Sequence, residues 1–74
     1  MRFNRILTAL LLAGMFLGTY QGRLALWDNN RPEPLTVYPR LISMLPESDQ
    51  LRLQEGIPIE NKSRLHRLLE DYLS

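Results

Sequence analysis

Seventy-four residues without a cysteine hold one small domain at most, with a core that is marginal at this size and has neither disulfides nor thiolate zinc sites to reinforce it. Nine Lys and Arg stand against eight Asp and Glu. That balance leaves no basic surplus for neutralising phosphates, which excludes nucleic acid as a partner.

The chain opens with Arg2 and Arg5, followed by an apolar run (Ile6, Leu7, Ala9 to Ala13, Met15 to Leu17) that has no charge before Arg23. Residues 1–17 read as a signal-anchor or signal peptide, somewhat short of the roughly 20 apolar residues that span a bilayer comfortably. A cleavable signal ends in small residues at the third and first positions before the cut, but Phe16 precedes Gly18 and Tyr20 precedes Gly22. Cleavage after Gly14 puts Leu12 at the third position and leaves apolar residues dangling. The expectation is therefore a retained, single-pass anchor, with the cleaved and exported form as the alternative. Arg2 and Arg5 hold the N-terminal side in the cytoplasm, so residues 18–74 are expected outside it.

Thr19 to Trp27 reads as one extended strand in which Tyr20, Leu24 and Leu26 share a face and Gly22 marks a bulge or close approach. Asp28-Asn29-Asn30-Arg31-Pro32-Glu33-Pro34 is turn chemistry. Alternation resumes over Leu35 to Tyr38, and Pro39 ends that strand or places it at an edge. A first helix is predicted over Pro46–Glu55, with Pro46 at its first position, Glu47 and Asp49 in the first turn, and Gly56 closing it so that Ile57 lies over Leu51. Ile57-Pro58-Ile59 reads as a short edge strand. Asn61 caps a second helix, although Arg64 stands where a capping box wants Glu or Gln. On that helix Leu65, Leu68, Leu69, Tyr72 and Leu73 form a stripe facing the sheet. The expected architecture is α+β: a small three-stranded sheet packed by two helices in the order ββαβα, preceded by the N-terminal apolar anchor helix.

Little in the chain advertises catalysis. His66 lies opposite the apolar stripe and pairs naturally with Glu70 one turn on. Ser43, Ser48 and Ser63 lack a nucleophile context, no ligand spacing suits a metal, and the glycines fit no phosphate loop. Catalytic, cofactor-binding and metal-binding residues are accordingly expected to be none, and the cofactor none. The candidate partner-binding residues are Trp27 and Tyr38, aromatic side chains that suit core lining and interface anchoring equally, and Glu70 and Asp71. These two acids oppose the helix dipole in the last turn of the second helix unless Arg64, Arg67 or another cation compensates.

Four pieces in order (Tyr20-x-Gly22-Arg23-Leu24-Ala25-Leu26-Trp27, Leu45-Pro46-Glu47-x-Asp49-Gln50, Gly56-Ile57, Leu68-Leu69-Glu70-Asp71-Tyr72) resemble the C-terminal domain of the bypass-of-forespore-C (BofC) family of endospore-forming bacteria. The resemblance covers most of residues 18–74. It implies an exported module of a regulator that restrains a signalling serine protease between two membranes. The chain leaves no room for the β-grasp-like domain that precedes this module in the family, so inhibition of the protease is not carried over. The resulting expectation is a non-enzymatic, extracytoplasmic protein-interaction module at the cell membrane, regulatory in endospore formation, whose partner is a membrane or secreted protein. The alternative is a small structural membrane protein, a subunit of a larger membrane complex.

Overall fold

The structure is a computed structural model and describes residues 14–74. Most of the expected anchor, residues 1–13, lies outside the described residues. The described part is α+β, with a four-stranded antiparallel sheet of order β3-β2-β1-β4 and two helices. The strands are β1 (Met15–Tyr20), β2 (Arg23–Asp28), β3 (Thr36–Leu41) and β4 (Ile57–Pro58). A 3-10 turn over Ile42–Met44 leads from β3 to helix α1 (Glu47–Glu55), and β4 leads to helix α2 (Lys62–Leu73).

The fourth strand corrects the sequence reading at its N-terminal side. The segment Thr19 to Trp27 is two strands, folded back at Gln21 (φ 50°) and Gly22 (φ 82°), with Tyr20 paired to Arg23. Positive φ at both central residues is the two-residue hairpin turn that matches strand twist. Gln in place of the usual Asn or Asp hid that signal. Met15, Phe16 and Leu17, read as the end of the anchor, supply the first half of β1, and Leu17 is fully buried. The folded unit thus begins at least three residues before Gly18. The apolar residues that cleavage after Gly14 would leave behind are a central strand of the sheet.

Elsewhere the differences are smaller. Asp28 Oδ1 accepts from the Asn30 N–H at 2.9 Å and its carbonyl accepts from the Arg31 N–H at 3.0 Å, the self-bonding expected of the turn. β3 runs through Pro39 to Leu41 instead of ending at Tyr38. It is an edge strand, so the missing N–H leaves no ladder partner unsatisfied. Pro46 stands one position earlier than predicted, as the N-cap of α1, where its carbonyl accepts from the Asp49 and Gln50 N–H groups. Gly56 closes α1 at φ 91° and ψ 123°. That extended ψ sends Ile57 into pairing with Leu17 and into the core, leaving Leu51 exposed rather than covered. The Asn61 side chain caps α2, accepting from the Arg64 N–H at 2.8 Å.

The core lies on one face of the sheet. Leu17, Leu24 and Leu26 meet Ile42, Leu53, Ile57 and Ile59, with Leu68 and Tyr72 of α2 above them. Leu65 and Leu69 pack at its margin, whereas Leu73 is exposed. Among the described residues no helix is long and apolar enough to cross a membrane.

Candidate interaction surfaces

Strand register distributes the side chains between two surfaces. Because Leu17 opposes Leu26 and Thr19 opposes Leu24 on the core face, Phe16, Gly18 and Tyr20 of β1 and Arg23, Ala25 and Trp27 of β2 fall on the other. Val37 opposite Ala25 and Leu41 opposite Arg23 extend this face to the edge. The rings of Phe16 and Trp27 stack with centroids 6.2 Å apart, and Tyr20 meets the indole edge-on at 5.8 Å. Trp27 Nε1–H donates to the Thr19 carbonyl at 3.2 Å, which draws the indole across β1 over Gly18. A Cβ at Gly18 would stand 3.4 Å from Trp27 Cδ1, so glycine leaves the space in which the indole lies flat. Of the paired positions on this face only Arg23 is charged.

The second surface is the open cleft, about 480 Å³, between the helices. Pro46, Asp49 and Arg52 line one wall, and Arg64, Asp71 and Tyr72 the other. Arg52 meets Asp49 at 3.7 Å, the one ion pair among the described residues. The Tyr72 hydroxyl donates to Asp49 Oδ1 at a long 3.5 Å. Burial pushes the Tyr72 hydroxyl above its ordinary range, Asp49 and Asp71 push the same way, and Arg52 partly opposes them.

The last turn of α2 meets a cation from outside the helix. Arg40 of β3 donates from Nε to the Tyr72 carbonyl at 2.8 Å and from its terminal nitrogen to the Ser74 carbonyl at 2.9 Å. A guanidinium thereby satisfies two carbonyls that a helix end leaves without partners. Arg67, one turn before Asp71, does not pair with it.

The four residues singled out by sequence do not converge on one site. Trp27 belongs to the aromatic face. Tyr38 packs against the core from the edge strand, and burial raises its hydroxyl pKa. It is half-buried lining rather than a free anchor. Glu70 is exposed on α2, and Asp71 alone reaches the cleft. His66 is exposed and lies outside the cleft lining. Sequence reasoning placed Arg64 near Asp71 on the same helix but missed Asp49 and Arg52 as neighbours of Asp71, because nothing local tells how two helices dock. It missed Phe16 because that residue sat inside the expected anchor; alternation of Phe16, Gly18 and Tyr20 was the available signal.

Compared with protein-family models, curated proteins and solved structures, the chain matches none.

Proposed function

We propose that this chain is a non-enzymatic protein-interaction module that works outside the cytoplasm, is held at the membrane through its N-terminal segment and regulates a step of endospore formation. The observation that carries the reading is the α1–α2 cleft. Two guanidiniums and two carboxylates ring a tyrosine hydroxyl there, in an open surface suited to matching a partner's charge pattern. Exposed Glu70 continues the acidic rim. The resemblance of the hairpin and helix motifs to the BofC family supports the developmental setting and a membrane or secreted protein as the partner, a signalling serine protease being the one that the resemblance offers.

Crosslinking from the cleft in sporulating cells, followed by identification of the captured protein, tests the proposal. Reversing Glu70 and Asp71 to lysine is expected to reduce capture. Lysines near a helix C-terminus suit its dipole, and an unfolding midpoint measured alongside separates loss of interface from loss of fold. His66→Ala is expected to leave capture intact. Should that variant abolish function in a folded protein while the double reversal has no effect, the module reading is wrong.

A further inference from the structure

The strand register imposes a limit on the N-terminal segment. With β1 beginning at Met15, the uncharged run that precedes the sheet extends only from Ile6 to Gly14, fewer than half of the roughly 20 residues a helical span requires. If the hairpin stays folded, this run cannot serve as a transmembrane anchor. It leads directly into Phe16, the first residue of a sheet face that presents Phe16, Tyr20 and Trp27 with Val37 and Leu41 beside them. Val37 and Leu41 are each 43% exposed. The buried side chains of both helices, Leu53, Leu68 and Tyr72, belong to the core on the opposite side. The end of α1 covers part of this face: its Leu53 carbonyl oxygen stands 3.4 Å from the position of a Cβ on Gly18, and a Cβ on Gly56 would stand 3.1 Å from Phe16 Cδ2. Ala25 at the centre is fully buried, so the accessible part is the rim formed by Phe16, Tyr20, Trp27, Val37 and Leu41.

We infer that the module binds the bilayer in the plane of its surface: the aromatic face of the sheet lies against the headgroup and acyl boundary. Three observations favour a lipid surface as the occupant. Tryptophan and tyrosine, with an apolar body and a polar tip, are the side chains that settle at this boundary. The only charge among the paired positions of the face is Arg23, and the only charges in the preceding segment are Arg2 and Arg5. All three are basic, as anionic headgroups require. The face also follows directly on an apolar stretch of sequence, Ile6 to Gly14, of a composition that favours a lipid boundary. The arrangement leaves the charged α1–α2 cleft on the far side of the sheet, open to a partner. The inference rests on the proposed hold at the membrane and replaces the single-pass anchor expected from sequence with contact in the plane of the surface.

Trp27 is the only tryptophan, so its fluorescence reports on this face without labelling. The full chain is mixed with phosphatidylcholine vesicles, with and without phosphatidylglycerol, some carrying brominated acyl chains. The expected result is a blue shift of Trp27 emission and quenching by shallow bromines, strongest with phosphatidylglycerol. Val37→Asp, at an exposed position of the same face, should weaken partition about tenfold. Arg23→Glu should remove most of the preference for the anionic lipid, with far-ultraviolet circular dichroism confirming that both variants fold. Vesicle binding with Trp27 emission unchanged would overturn the inference and leave the tether standing, since the segment alone would then hold the chain. No vesicle binding would overturn both. A dimer with blue-shifted emission in the absence of lipid would assign the face to a second copy of the chain instead.

Discussion

On one face of the β1–β2 hairpin, Leu17, Leu24 and Leu26 lie almost fully buried beneath two helices; on the other, Phe16, Tyr20 and Trp27 are only partly buried and largely shield one another. The same two strands therefore solve the burial problem twice. Aliphatic side chains on the core face have no mutual geometry to exploit, so they depend on Leu53, Leu68 and Tyr72 arriving from elsewhere in the chain. The aromatic face depends on local register. An indole laid over Gly18 covers backbone and packs against two rings, contacts worth about 0.5–1.5 kcal/mol each beyond area burial. The core face should thus govern stability, while the aromatic face can be altered at its rim with little effect on the fold.

The largest effect should come from Leu17→Ala. A fully buried leucine in a central strand is expected to lose about 2–5 kcal/mol in urea unfolding. Val37→Thr, on the rim of the aromatic face, should stay within about 0.5 kcal/mol. A neutral Leu17→Ala would break the comparison, for it would mean that Met15 to Leu17 serve the N-terminal segment and not the sheet.

Gly56→Val comes next and sharpens the junction between the faces. At φ 91° a side chain is strained in any case, and a Cβ there would approach Phe16 Cδ2 to 3.1 Å. The expected loss is about 1–3 kcal/mol. Gly22→Ala shares the positive φ but meets nothing within 4 Å, so its loss of about 1–2 kcal/mol reflects backbone strain alone. If the two glycines respond alike, contact with Phe16 contributes nothing and the aromatic face is looser than its geometry indicates.

The parts of this fold governed by local chemistry were legible before the structure. Asn61 as cap, Gly56 as stop, the Asp28 turn and the stripe of Leu65, Leu68 and Tyr72 each follow from a few neighbouring residues. The start of β1 was not legible, for a physical reason: a strand with aliphatic side chains on its core face and aromatic ones on the other reads as an unbroken apolar run, and so does the core of a targeting segment. Met15 to Leu17 satisfy both descriptions, and only pairing with Leu26 and Trp27 decides between them. Of the candidate site, Asp71 and Trp27 were visible as residue types. Their separation onto opposite sides of the sheet, and the meeting of Asp71 and its helix neighbour Arg64 with Arg52 and Asp49 around one cleft, depend on how distant segments dock. Arg40 belongs to the same category, because a strand residue capping a helix end 32 positions away leaves no trace in local spacing.

The cap offers a smaller test on the helix side. Asn61→Ala removes the acceptor for the Arg64 N–H and should cost about 1 kcal/mol. Because it loosens the helix turn that carries Arg64 into the cleft, it should also reduce partner capture more than an equally destabilising change at the hairpin. Equal losses would show that capture follows global stability and not the position of α2.

The smallest expected effect is confined to alkaline pH and separates burial from charge in the cleft. Burial and the nearby Asp49 raise the Tyr72 hydroxyl above its usual 10.0, and burial raises Tyr38 in the same direction. Below the unfolded-state value both states hold the phenolic proton, so the contribution is fully present. As pH rises past that value the unfolded chain ionises first, and the stabilisation is lost progressively as pH climbs through the folded-state pKa. Urea midpoints should therefore fall above about pH 10. Tyr72→Phe should flatten that decline by its share while changing neutral stability little, since the hydroxyl makes only one long hydrogen bond. Asp49→Asn should flatten it less, because it removes the charge and leaves the burial. If Asp49→Asn flattens the decline as much as Tyr72→Phe does, charge rather than burial dominates at Tyr72, and the cleft is drier and more strongly coupled than its open shape implies.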